Sequence, residues 1–161
     1  MLDAMTWLGE QPDVIFLGQG VGCSGTKMSA DFEGVPAEKR LEMPVAEELQ
    51  IGISIGLALE GFVPVSVFPR INFLWRAADQ LINHLDKLPL YSDYRPKVII
   101  RTAIGSKTPL DAGPQHTGDP AAALALLLDT VLIDRIYNPA GAVSLYRNVY
   151  ARTESTIIVE G

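Results

Sequence analysis

The chain has 161 residues, one domain's worth, and its 48% apolar content is ample for a single core. Its 13 Lys and Arg stand against 19 Asp and Glu, a net charge of -6, and the basic residues are scattered, which argues against a nucleic-acid partner. A lone cysteine, Cys23, excludes an intrachain disulfide and fits a reducing compartment; with no basic-then-apolar leader, a cytoplasmic protein is expected.

Residues 1–9, MLDAMTWLG, read as a short helix ending at Gly9. DVIFLG at 13–18 is a strand apolar on both faces, as in a parallel sheet covered by helices. It runs into GQGVGCSGTK, whose glycines at 18, 20, 22 and 25 make a flexible loop without a phosphate motif. Cys23 stands where a dinucleotide fingerprint needs its third glycine, and Lys27 lacks the Walker spacing. Residues 19–39 are expected to be mobile, with 26–39 a long polar surface loop, and 40–42 a short strand before Pro44.

The main helix is expected over 46–60, within MPVAEELQIGISIGLALEGFVPVSVF. It is apolar round most of its circumference, which predicts burial on nearly all sides. Gly52 and Gly56 share a face on which a second backbone can come close. Glu47 and Glu48 open the first turn, where free backbone N–H groups favour a carboxylate. The apolar run 51–68 is broken by Glu60, Gly61 and Pro64, so it is helix plus strand and not a membrane span.

A strand at 63–68 is followed by a helix over 73–88, with Phe73, Ala77, Leu81 and Leu85 at steps of four. Then come a strand at 97–101 and an aperiodic loop at 102–119, dense in Gly, Pro, Ser and Thr. A helix at 120–128, a strand at 130–134, a helix at 139–151 and a strand at 156–160 complete the chain. The alternation predicts one α/β domain, a parallel, helix-covered sheet of about six strands with right-handed crossovers.

Such sheets bind ligands beyond the carboxyl ends of their strands, which singles out Glu47, Arg101 and His116. Each also has a plainer explanation: helix-start electrostatics for Glu47, an ion pair for Arg101, a solvated loop histidine for His116. His84, beside Asn83 in a regular helix, reads as structural or interfacial.

Set end to end, five blocks carry a family resemblance: GQGVG (18–22), KRLEMPVAEELQIGISIGLALEGFVPV (39–65), FPRINFLWRAADQLINHLDKL (68–88), VIIRTAIG (98–105) and GPQHTGD (113–119). They resemble the beta subunits of thiamine-diphosphate-dependent 2-oxo acid dehydrogenases, in the pyrimidine-binding domain shared with transketolase-like enzymes. The resemblance covers practically the whole chain and implies that family's parallel sheet between helices.

It further implies that Glu47 grips the cofactor's aminopyrimidine ring through a ring nitrogen, so that the exocyclic imine takes the thiazolium proton. A carboxyl group in that role must hold or share a proton at neutral pH, which burial favours. His116 matches the family's active-site histidine, which stabilises charge on the bound intermediate or helps transfer it. Phe68 and Phe73 fall in the stretch that walls the pyrimidine pocket, Gln19 is a further cofactor contact, and Arg101 organises a loop.

The chain departs from the family in three places. GQGVG replaces a GEDVG-like motif, so Gln19 keeps a hydrogen-bonding group while Gly20 has no side chain. Val67 replaces an acidic residue, and the family's C-terminal domain is expected to be lacking after TIIVE. The GDG-plus-asparagine motif that holds diphosphate and Mg²⁺ in the family's companion domain has no counterpart here, so no metal ligand is expected in this chain. The resemblance therefore implies half a site, completed by a separate alpha-like subunit in an α2β2 assembly and inactive alone. The reaction implied is cleavage of the C–C bond beside a carbonyl, by decarboxylation of a 2-oxo acid or ketol transfer from a ketose. The alternative is a catalytically weak structural or regulatory homologue. A nucleotide-binding module would need a phosphate loop.

Overall fold

The structure is a computed structural model describing residues 1–25, 28–108 and 111–161. One parallel sheet contains β1 (Val14–Gly18), β2 (Arg40–Glu42), β3 (Val63–Val67), β4 (Ile99–Ala103), β5 (Leu132–Ile136) and β6 (Thr156–Glu160), in the order β2-β1-β3-β4-β6-β5. Helices α1 (Leu2–Gly9), α2 (Glu47–Leu59), α3 (Leu88–Tyr91), α4 (Ala121–Ala125) and α5 (Ala142–Ala151) pack around it. The expected α/β class and strand set hold, and residues 40–42 form the sixth strand, in register with Phe16–Gly18 of β1.

The central strands form where both faces can be buried, while the edge strands β2 and β5 are only partly covered. Every residue of β3, VPVSV, is buried, as a central parallel strand between helical layers requires. Successive residues feed opposite cores: Ile99 of β4 joins α1 and α5 through Met5, Leu8 and Tyr146, whereas Ile100 joins Ile51 of α2, Phe68 and Leu81.

Beside β1 the strand order reverses, which opens a crevice at the carboxyl ends of β1 and β3. Gly18, the last residue of β1, has φ +146°, and a Cβ there would lie 2.3 Å from the Val67 carbonyl oxygen. Only glycine permits that approach.

Three expectations are corrected. The 73–88 stretch is not one regular helix: Ile71–Ala77 winds as a 3₁₀-helix and Asp79–Leu85 as a π-helix, ahead of α3. The buried residues explain why. Ile71, Leu74 and Ala77 recur every third position, as a three-residue turn demands, and Ala77, Leu81 and Leu85 every fourth, on the wider winding. Phe73 consequently leaves the core line and is only partly buried.

Helix α2 is not buried on nearly all sides. Glu47, Gln50, Ile51 and Ser54 face inward, while Leu49 and Leu59, with Val45 just ahead of the helix, are 54%, 62% and 75% exposed. A Cβ at Gly56 would meet nothing within 4 Å, and one at Gly52 only the Gln80 side chain, so among the described residues no backbone uses the glycine face. Apolar composition round a helix does not by itself bury every face of it.

The 26–39 segment is not simply a polar surface loop. It contains two 3₁₀ turns, Ser29–Phe32 and Ala37–Lys39, and Phe32 and Val35 enter the first core. Thr26 and Lys27 of that segment, and Pro109 and Leu110 of the 102–119 loop, lie outside the described residues.

Candidate functional site

Four neighbouring strands deliver the sequence candidates to one edge of the sheet: Gln19 follows β1, Glu47 follows β2, Phe68 and Phe73 follow β3, and His116 follows β4.

Glu47 is the first residue of α2, whose N-cap, Ala46, offers no side-chain bond. The turn is held instead by Gln50. Its backbone N–H donates to Ala46 O at 2.9 Å, and its Nε2 reaches Ser66 Oγ at 2.9 Å, Val67 O at 3.1 Å and Leu17 O at 3.4 Å. These acceptors belong to β1 and β3, so the first turn of α2 is docked over the crevice. Glu47, three residues back on the same face, is 6% exposed. Among the described residues no hydrogen bond or ion pair reaches its carboxylate. Buried carboxylates are ordinarily paired, so this one has acceptors to spare for a ligand.

His116 is fixed in both ring and backbone. Its Nδ1 lies 2.8 Å from Asn72 Oδ1, and its ring centroid lies 5.4 Å from that of Phe73, with the planes tilted by 54°. Facing an amide oxygen, Nδ1 carries the hydrogen and donates, which leaves Nε2 as the available nitrogen. Gly105 N–H donates to His116 O at 2.7 Å and His116 N–H to Gly113 O at 3.1 Å. A Cβ on Gly105 would fall 2.6 Å from His116 O, so this contact needs glycine. The structure thus brings Phe73 and His116 together, through the tight turn that also packs against α2.

The other two candidates stand differently. Phe68 is fully buried among Ile51, Ile71 and Leu74, and its N–H donates to Arg101 O at 2.8 Å. Gln19 is half-buried at the mouth of the glycine loop, and its side chain makes no hydrogen bond among the described residues. Arg101 is buried in an ion-pair network, bonded to Glu160 at 2.6 Å and to Asp31, with its guanidinium 5.4 Å from the Phe32 ring. It anchors the 29–32 turn. His84 is exposed, 3.4 Å from Asp79.

Sequence reasoning missed Glu42. At the end of β2 its carboxylate accepts the N–H groups of Gly20 at 2.8 Å, Gly22 at 2.6 Å and Cys23 at 3.2 Å. Partial burial works to raise its pKa, but these donors and the Cys23 thiol prevail and hold it below the usual carboxylate range. The glycine loop is therefore wrapped round an acid. The available signal was a strand-end carboxylate in a chain with a glycine-rich stretch of unpaired N–H groups. A cleft of about 420 Å³ beside this loop is lined by Cys23, Ser24, Glu33 and Arg40, but not by Glu47 or His116. Among the described residues no cluster of three or more His, Cys, Asp or Glu is placed to hold a metal ion.

Comparison with known proteins bears on this arrangement. No family model matches the chain. It is 39% identical over 79 residues to the 3-methyl-2-oxobutanoate dehydrogenase subunit beta of Mycobacterium tuberculosis, covering 46% of this chain and 22% of that protein. It is 28% identical over 97 residues to the 2-oxoisovalerate dehydrogenase subunit beta of Bacillus subtilis, covering 57% of this chain and 30% of that protein. Among solved structures it superposes on a split gene transketolase, described as an inactive beta4 tetramer, with a TM-score of 0.75 at 19% identity, over 99% of this chain and 48% of that one. It also superposes on the transketolase of Campylobacter jejuni, TM-score 0.76 at 14% identity, over 98% of this chain and 25% of that one.

The fold is the pyrimidine-binding type of thiamine-diphosphate enzymes. The chain is similar in sequence to 2-oxo acid dehydrogenase beta subunits over about half of its length, and in fold to transketolases. It spans less than half the length of each of these relatives. Among the described residues no helix is long and apolar enough to cross a membrane.

Proposed function

We propose that the chain is the pyrimidine-binding subunit of a thiamine-diphosphate-dependent enzyme that cleaves the C–C bond beside a carbonyl, in a 2-oxo acid or a ketose. A separate alpha-like subunit carrying the diphosphate and Mg²⁺ ligands completes the site. The observation that carries this reading is Glu47: a buried carboxylate without a protein partner among the described residues, opening a helix docked over the β1/β3 crevice.

When bound, thiamine diphosphate supplies a nucleophilic carbon and an electron sink for the breaking bond. Glu47 would hold the aminopyrimidine by sharing a proton between its carboxyl oxygen and a ring nitrogen. Phe73 would wall the ring, with Phe68 packed in the core behind that wall, and Gln19 would supply a polar contact from the glycine loop. His116, with Nδ1 committed to Asn72, presents Nε2 to charge developing on a substrate oxygen, accepting or donating a proton there.

The outer face of α2 supports a partner subunit. Val45, Leu49 and Leu59 leave an apolar stripe exposed around Gly56, as an obligate interface would require. That a beta4 tetramer of a split transketolase is described as inactive accords with a site needing a second kind of subunit. The alternative, a catalytically weak partner protein, is favoured by Val67, which is fully buried and puts no carboxylate at the end of β3.

Co-expression with a GDG-bearing partner, followed by calorimetry with thiamine diphosphate and Mg²⁺, tests the proposal. Binding by the pair and not by either chain alone is the expected result. A pair that assembles but binds no cofactor would favour the alternative.

A further inference from the structure

We propose that Gln50 is a positioning residue that sets where Glu47 stands at the crevice, an inference that rests on the function proposed above. Three sets of bonds meet at this residue. Its N–H closes the first turn of α2 on Ala46 O at 2.9 Å, and its carbonyl accepts the Ser54 hydroxyl at 2.8 Å. Its side-chain nitrogen serves Ser66 Oγ, Val67 O and Leu17 O, at 2.9, 3.1 and 3.4 Å. Two amide hydrogens are thus shared among three acceptors on β1 and β3, the strands whose ends Gly18 brings together.

No side chain caps α2, and no protein group holds the Glu47 carboxylate among the described residues. The place of that carboxylate therefore follows from the turn that Gln50 fastens to the sheet. The amide is 1% exposed, so removing it leaves buried carbonyls short of a donor and frees the turn to shift. Small displacements of an orienting group are costly to reactions that depend on alignment.

The test uses the full chain with its partner subunit and two variants, Gln50→Leu and the double substitution Gln50→Leu/Ser66→Ala. Thiamine diphosphate affinity is measured by calorimetry on the assembled complex, urea stability and amide exchange at residues 47–50 on the free chain. Gln50→Leu is expected to speed exchange in the first turn and to weaken cofactor binding about tenfold or more. The double substitution, which makes both partners of the Ser66 bond apolar but leaves the Val67 and Leu17 carbonyls without that donor, is expected to recover part of the urea stability but none of the affinity. Recovery of both, or wild-type affinity and exchange in Gln50→Leu, overturns the positioning role. If the wild-type complex binds no thiamine diphosphate, the proposed function fails and exchange alone decides. Faster exchange confined to 47–50 then upholds the docking of the turn, and unchanged protection there overturns it.

Discussion

The amide oxygen of Asn72 takes the Nδ1 hydrogen of His116 across 2.8 Å, tying the turn after β3 to the loop after β4. One side chain thereby fixes the tautomer of the other. Replacing Asn72 by Leu is expected to lower kcat of the assembled enzyme by about tenfold or more, with KM little changed. Asn72→Asp should restore much of that rate, because a carboxylate oxygen accepts the same Nδ1 hydrogen and keeps the ring in place. Steady-state kinetics across pH, with NMR of the two histidines, checks both outcomes. Unaltered kcat in Asn72→Leu would remove the pair from the mechanism.

Gly105 is the point at which the His116 loop touches the end of β4. A Cβ there would meet His116 O at 2.6 Å and the Ala112 Cβ at 2.7 Å, so Gly105→Ala forces a backbone apart. The expected loss is about 1–3 kcal/mol in urea unfolding, together with a changed chemical shift for His116. A variant with native stability and native shifts would show that the loop yields freely.

Asp86 lies fully buried where the winding after β3 ends. It accepts the N–H groups of Asp129, Thr130 and Val131 and pairs with Lys87 at 2.6 Å, fastening the entry to β5. Burial works to raise its pKa, but the Lys87 ammonium and the three N–H donors outweigh it, so the group titrates below its ordinary 3.8. Since the folded pKa is the lower one, its stabilisation is complete above about pH 4 and is lost as pH falls through the folded-state value. Asp86→Asn should cost about 1–3 kcal/mol at neutral pH and flatten the acid limb of the stability curve. Urea unfolding from pH 7 down to pH 2 measures both, and an acid limb parallel to wild type would contradict the assignment.

Under the proposed function, the outer face of α2 serves assembly rather than folding. Leu49 is 54% exposed in this chain, so Leu49→Lys should change folding stability by no more than about 0.5 kcal/mol. It should nonetheless abolish co-purification with the alpha-like partner, since a charge would be buried at the interface. Normal assembly of Leu49→Lys would place the partner elsewhere.

The central strands were legible as runs apolar on both faces, as in VPVSV and TIIVE, bounded by glycine, proline or a polar loop, whereas the edge strands RLE and LIDRI carry charges and are only partly covered. Glu47 stood out by its place at a helix start, and His116 by its aperiodic loop. The winding of 71–85 was misread because Phe73, Ala77, Leu81 and Leu85 satisfy a step of four. The equally regular Ile71, Leu74 and Ala77, at steps of three, decide the first half. Gln50, Glu42 and Asp86 escaped notice because the partners that reveal them lie 16 to 45 residues away along the chain. A polar residue in a helix or at a strand end shows its purpose only when the sheet has brought those partners to it.

The most direct measurement is the turnover of Glu47→Gln in the assembled complex, beside wild type, with assembly followed by analytical ultracentrifugation. This substitution keeps the size and hydrogen-bonding capacity of the side chain while removing the exchangeable carboxyl proton. The account predicts a complex of unchanged size with turnover lowered by about a hundredfold or more. An intact complex that turns over at the wild-type rate would contradict the account, because the buried carboxylate at the head of α2 would then take no part in the chemistry.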